Sequence, residues 1–504
     1  MAEYDSKTFK STTLYAITDK MWSLNIGASM LSWDMHTGAP EGGNESRAKA
    51  LAALSSEAFA LSISDEMKRA LEELEDVQDN LDEITAAAVR ICRKNYDSTR
   101  KIPIEEMRAY QELTANAETI WRNAKQKNDF AAFAPTLTQI IAYNKRFTTY
   151  RGFTGNPYNT LLDDYEPGMT TDELDAFFAK VKATIVPLLK RITEAKKKID
   201  TSFVNRPISV KKQKKLAALL IEKIGFDLTH GQIRESAHPF TTSFGRNDVR
   251  ITTHYYETEF LSSFYSVIHE CGHGIYGQGI MDGIVDTILD NGISMGIGES
   301  QSRFYENMIG RSLSFWELIY PELMAIVGDE FKDITAKQFY EAANSARASL
   351  IRVEADELTY SLHVIIRYEI EKLLINGEID VMELPRIWNE KYQEYLGITP
   401  PDDSRGVLQD VHWSAGMFGY FPSYSLGNAY GAQILATMEK DLDLKELIRS
   451  GNIGKITAWL RERIHRYGSI KIPSDLIRAI SGEALNADYY VRYLTDKFEA
   501  LYEL

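Results

Sequence analysis

Only two cysteines, Cys92 and Cys271, occur in 504 residues. That is too few for a disulfide framework, which suits a reducing compartment and makes the cytosol the expected location. Proline is scarce too, at 14 residues, against roughly 5% in average usage, so long helices meet few breaks. No uninterrupted apolar run approaches the roughly 18 residues a membrane helix needs, and the start, MAEYDSKTFKSTT, lacks the basic and apolar regions of a secretion signal. Basic excess is missing as well: a formal charge of -15 argues against a surface that tracks nucleic-acid phosphates. Neither a membrane nor a nucleic acid is expected as a partner. With no Gly/Ser- or Pro-rich linker, no low-complexity tract and no repeat, the chain reads as one domain over 1–504, two lobes being its only expected subdivision. Serine and cysteine nucleophile schemes find no support.

What fills the chain is helical pattern. Residues 45 to 95 and 105 to 148 carry apolar positions at three- and four-residue spacing, rich in Ala, Leu, Glu and Lys. Thr170 with Glu173, and Thr335 with Gln338, have the spacing of capping boxes, the second opening a helix expected to run towards Arg352. The lysine-rich piece from Lys196 to Lys215 reads as a solvated face and loop. One stretch breaks the rhythm. In RNDVRITTHYYE, Val249, Ile251 and Thr253 alternate with Arg250, Thr252 and His254, the period of a strand with one buried face. A small sheet is expected just before residue 260, and a strand edge there could hold an extended peptide by its backbone.

The chemistry concentrates in SVIHECGHGIYGQG. A helix advances about 100° per residue, so His269 and His273 stand one above the other and can ligate one ion, with Glu270 turned beside it. There Glu270 can take a proton from water that the ion acidifies and pass it to a leaving amine. A catalytic zinc keeps three protein ligands and one open position, so a third ligand is required downstream. Glu299, 26 residues after His273, is the candidate, with connecting turns at Gly283 and Gly292; Glu306, seven residues further and near the same helical face, is its rival.

These motifs stand in a longer series: LSWDMHTGAP near the start, then HPF (His238 to Phe240), DVRIT (Asp248 to Thr252), HECGH, GESQ (Gly298 to Gln301), IRVEAD (Ile351 to Asp356) and GVLQDVHW (Gly406 to Trp413). In that order they resemble the Taq-type, thermostable-carboxypeptidase family of metallopeptidases from near the N-terminus to past residue 430. One departure is visible: the family usually has histidine before the third-ligand glutamate, where this chain has Gly298. What that puts in doubt is a hydrogen bond orienting a ligand.

The resemblance implies a mainly α fold, large and helical with a deep cleft and a small β-sheet beside it, similar to thimet-type oligopeptidases and angiotensin-converting enzyme. It also implies a homodimer, one divalent metal ion per subunit, and a carboxypeptidase that removes single C-terminal residues from peptides, broad in side-chain taste and resistant to proline. Zinc is the expected ion and cobalt the alternative, since both suit two imidazoles and a carboxylate. Attack on a carbonyl builds negative charge that needs donors. By similarity to the related clefts, His412 and Tyr420 supply them, with Tyr424 as the alternate phenol on the substrate side. Recognition of a free carboxylate suits a guanidinium fork; Arg352 leads, ahead of Arg347 and Arg250, its bland alternative being an ion pair with Asp356 four residues on. Asp356 or Asp410 is the expected carboxylate that orients a ligand histidine. His238 is retained as a substrate-side residue because it lies in a family motif, while His36, His230, His363 and His465 have no partner pattern and His363 reads as structural. Two rival functions remain: an endopeptidase on the same metal, and a non-catalytic peptide-binding protein.

Overall fold

A computed structural model describes residues 6–504. Helices dominate, as the apolar spacing predicts: Asn44–Ser62, Asp65–Glu75 and Glu83–Arg100 fill the first periodic stretch, and Ile104–Lys127 and Phe130–Arg151 the second. Both capping boxes form, Thr170 with Glu173 at the head of Thr171–Glu194 and Thr335 with Gln338 at the head of Ala336–Ala343. The second of these helices stops well short of Arg352. Asn344 turns its amide onto the carbonyls of Tyr340 and Arg311, and Arg311 donates to the carbonyl of Ala343. Arg352 lies instead in a single 3-10 turn, Arg352–Glu354. The lysine-rich piece is a loop leading into Val210–Ile224, its lysines paired at the surface, Lys197 with Glu341 and Glu503 and Lys212 with Glu330.

The strand expected in RNDVRITTHYYE is the middle of a three-stranded sheet. Strand β1 (Gly231–Glu235) pairs parallel with β3 (Val249–Thr253), and β2 (Thr241–Ser243) pairs antiparallel on its other side. Val249 and Ile251 face helix Phe260–Gln278, the histidine helix. The opposite face is buried too at Thr252, which is fully covered; its hydroxyl accepts from Ser236 and from the amide of Phe240. Helix Thr13–Thr37 accounts for the cover: its Trp33 packs edge-on against Phe240 and Phe244, so LSWDMHTGAP and HPF are contact partners.

One large core runs from Ala117 to Tyr502, and a smaller one gathers Phe9, Leu14, Met67, Leu71 and Ile84 with Ile280, Ile284, Leu289 and Ile470. At the centre of the large core lie the histidine helix, helix Met295–Arg303 and helix Pro422–Met438. Glycine permits their approach. A Cβ on Gly272 would stand 2.7 Å from Ser302 Cα, and one on Gly427 would stand 2.5 Å from Glu299 Cγ. Backbone therefore meets backbone between the two motif helices, closer than any side chain would allow. Among the described residues no helix is long and apolar enough to cross a membrane.

Candidate metal centre

His269 and His273 project from one face of the histidine helix with ring centroids 5.0 Å apart. Helix Met295–Arg303 begins at the side-chain cap of Ser294 and brings Glu299 opposite them. Oε2 of Glu299 lies 3.6 Å from His269 Nε2 and 3.5 Å from His273 Nε2. Atoms each about 2.0–2.1 Å from a tetrahedral zinc stand roughly 3.3 Å apart, so these three fit one ion with a small contraction. Among the described residues they form a group of His, Cys, Asp or Glu side chains able to hold a metal.

Electrostatics point the same way. Glu306 is buried, which opposes its charge, yet Arg303, His269 and Arg311 hold its carboxyl well below the usual range. As an ionised acceptor 2.8 Å from His269 Nδ1 it holds a proton on that nitrogen, so that Nε2, on the Glu299 side, is the nitrogen that would bind a metal. Glu299 is held low as well, against its burial, by Arg303 and the two imidazoles. The carboxylate charge of Glu299 and Glu306 thus favours a positive charge on the imidazoles or beside them. Glu306, the rival ligand of the sequence reading, instead pairs with His269 through the ring nitrogen turned away from Glu299. Asp356 and Asp410 do not make that pairing: Asp356 accepts from the amides of Arg347 and Thr359, and Asp410 from Arg352 and Arg367.

Glu270 is buried beside the ligands, and its Oε2 accepts from the Thr241 hydroxyl at 2.6 Å. Thr241 lies on β2, the sheet edge next to the histidine helix. It is a partner the motif could not reveal, because it comes from another element. Two imidazoles and a carboxylate, with a further carboxylate pinned through one oxygen beside them, make the constellation of a metal-dependent hydrolase.

The sequence pattern described as Carboxypeptidase Taq (M32) metallopeptidase matches residues 13–498. The chain belongs to that family of metallocarboxypeptidases. Carboxypeptidase 1 of Bacillus subtilis is 46% identical over 94% of this chain and 95% of its own length, and thermostable carboxypeptidase 1 of Thermus thermophilus is 39% identical over 95% and 96%. The crystal structure of M32 carboxypeptidase from Deinococcus radiodurans R1 superposes with a TM-score of 0.94 at 31% identity, covering 97% of this chain and 99% of that one. A Pyrococcus furiosus carboxypeptidase structure gives 0.94 at 36% identity over 98% and 99%.

In this M32 chain His412, Tyr420 and Tyr424 form one cluster of rings. His412 Nε2 meets the Tyr424 hydroxyl at 3.2 Å, and its ring lies 5.5 Å from that of Tyr420. Burial first, then the negative charge of Glu299, raises the Tyr420 phenol, whose ring stands edge-on 5.2 Å from that of Tyr424. His412 is pulled down to about 4 by burial and by Arg352 and Arg367, and its imidazole is neutral.

Arg352 enters the same cluster, 4.8 Å from the Tyr424 ring, but its fork is already engaged. Nε and Nη2 donate to Asp410 at 3.1 and 2.9 Å, and Nη1 donates to the Tyr360 hydroxyl at 2.8 Å. The helical pair with Asp356 is not made, because the backbone there is a 3-10 turn. Arg250 gives both edges to Asp248 on the sheet face turned to Trp33, opposite the histidine helix. His238 is exposed on the turn between β1 and β2, and Arg347 is exposed. His363 is structural, buried with Nδ1 against the Tyr392 hydroxyl. Gly298 has open space where a Cβ would stand, and Glu299 next to it is oriented by Arg303 and Ser302.

Proposed function

We propose that this chain removes single residues from the free C-termini of peptides, with broad side-chain tolerance and resistance at proline, using one divalent metal held by His269, His273 and Glu299. The observation that carries the reading is the convergence of three lone-pair atoms with Glu270 beside them, in a chain of the M32 family. Zinc is the expected ion and cobalt its alternative. When bound, the metal supplies Lewis acidity, acidifying water and polarising the scissile carbonyl.

The chain's own groups do the rest. With Oε2 held by Thr241, Glu270 takes the proton of the attacking water on Oε1 and returns it to the departing amine nitrogen. Tyr420 donates to the carbonyl oxygen as it gains charge, and His412 keeps Tyr424 in place as the neighbouring substrate-side phenol. Arg352 anchors the terminal carboxylate with Nη1, the edge that now faces Tyr360, while Asp410 keeps the other edge fixed. Substrate backbone runs along the free edge of β2, past Thr241, with His238 at the nearby turn. Arg250 serves the sheet's packing rather than the substrate.

The whole chain is one catalytic unit, since the smaller core is completed by Ile280, Ile284, Leu289 and Ile470 from the segments that follow the histidine helix and precede the C-terminus. Homodimeric assembly and a cytoplasmic location complete the reading. The deciding experiment is mass spectrometry of an N-terminally blocked peptide with metal-loaded enzyme, beside a chelated control and a C-terminally amidated copy. A ladder of single losses confined to the free-carboxylate, metal-loaded sample is expected. Internal cleavage of both peptides would make the protein an endopeptidase, and intact peptide throughout would make it a binding protein.

A further inference from the structure

We propose that Arg303 is the positioning residue that keeps Glu299 a one-oxygen ligand: by holding Oε1 it leaves Oε2 alone to face the metal, and so keeps a coordination position open. The inference rests on the metal reading of the site. A carboxylate standing between two imidazoles is free to chelate a cation through both oxygens, and chelation would fill the position that water and the substrate carbonyl need. Here the two oxygens have different partners. Oε1 accepts from Arg303 Nε at 2.7 Å, whereas Oε2 is the atom 3.5 and 3.6 Å from the two Nε2 atoms and accepts from the Ser302 hydroxyl at 3.1 Å.

The guanidinium is itself indexed. Its Nη1 donates to Glu306 Oε2 at 3.0 Å, the oxygen that also receives His269 Nδ1–H, and its plane lies 4.7 Å from the Tyr360 ring. One arginine therefore ties the ligand carboxylate to the carboxylate that orients a ligand histidine. Arg303 ends the α-helical turn four residues after Glu299, and the backbone then passes into the π-helical segment Phe304–Gly310 that carries Glu306, the type of distortion that marks functional sites. From the other side the bare backbone of Gly427 presses on the Glu299 stem, so the carboxylate cannot roll away from the arginine.

The test uses the metal-free chain and three variants: R303Q, R303M and R303K. Each is titrated with zinc against a chromogenic chelator, examined by X-ray absorption for the number of metal–oxygen neighbours, and loaded with cobalt for its visible spectrum. R303Q is expected to bind metal at least as tightly as the parent, gain one oxygen neighbour and show weaker cobalt bands, with kcat reduced at least about tenfold and KM nearly unchanged. R303K, which returns a cation to Oε1, is expected to restore the parent's oxygen count. Should R303Q not fold, R303M keeps the stem's packing on Tyr360 and carries the same expectation. An unchanged oxygen count in the glutamine or methionine variant overturns the inference. So does a fall in metal affinity of about tenfold or more, the signature of a residue that merely supports the ligand. A parent chain that binds no metal, or whose binding survives His269→Ala with His273→Ala, would sink the metal reading itself.

Discussion

Glu270 offers one oxygen to the site because Thr241 occupies the other. Glu270→Gln retains the shape and loses the base, so metal affinity should persist while kcat falls by about 10²–10⁴, the contribution typical of general base catalysis. Full turnover in that variant would remove the residue from the mechanism. Thr241→Val leaves the carboxylate free to rotate, and a drop in kcat of about tenfold with unchanged metal content is expected from loss of an orienting bond. Isothermal metal titration beside steady-state kinetics reads both variants. At this scale the sequence was informative where spacing is local: His269, Glu270, His273 and Glu299 lie on two helices whose pitch dictates which side chains share a face. Thr241 was silent, because nothing in a threonine on a short strand announces a glutamate 29 residues later.

Between elements the site depends on how closely two helices approach. Gly272 sits inside the HECGH motif, where glycine costs about 1 kcal/mol of helix propensity relative to alanine, and its compensation is contact with the backbone of Gln301 and Ser302. Gly272→Ala places a methyl 2.7 Å from Ser302 Cα, which must push the ligand helices apart. The expected result is a weakening of metal binding by about 10–100-fold and a loss of about 1–3 kcal/mol in stability. Gly454→Ala is the control. It lies in helix Ile453–Arg463 with nothing within 4 Å of the new methyl, so metal affinity should not change and stability should rise slightly. Equal effects from the two substitutions would show that helix propensity, not helix approach, governs the site. Helix periodicity made most of these elements readable in advance. The helix from Thr335 was over-extended because its terminator, Arg311 reaching the Ala343 carbonyl, comes from the turn that follows the segment Phe304–Gly310.

The whole molecule carries buried histidines outside the metal set, and each favours the fold less as the pH falls through the imidazole range. Burial, and Arg461 nearby, pull His465 down to about 3, and its Nε2 meets Gln301 Oε1 at 2.9 Å. The native state therefore keeps this ring neutral while the unfolded chain protonates it near pH 6.5. Its contribution to stability is complete above about pH 6.5 and falls as the pH drops, by about 3 kcal/mol at pH 4. Glu166 and Glu371, pushed up to about 7 by burial, act in the opposite sense, their contributions declining as pH rises from about 4.5 to about 7. A parent scan mixes the two, so the difference between His465→Gln and parent is the useful quantity. Thermal scans in chelator should show the variant gaining on the parent between pH 6.5 and 4; a constant gap would place the acid sensitivity elsewhere. Zinc at a hundredfold excess over its Kd should add about 2.7 kcal/mol to the parent, reversed by chelation.

By itself the sequence determined the helical class, the small sheet, the histidine pair and the glutamates at 270 and 299 that stand beside it, because each follows from a short-range period or from motifs kept in order along the chain. Only the tertiary structure decided which carboxylate pairs with His269, that Asp410 and Tyr360 already hold the fork of Arg352, that Arg250 faces Trp33, and that Arg303 divides the two oxygens of Glu299. Those assignments join residues from separate elements, or choose among several carboxylates within reach of one helical face. Such choices are made by packing and by the pairing of buried charge, which no spacing along a chain encodes.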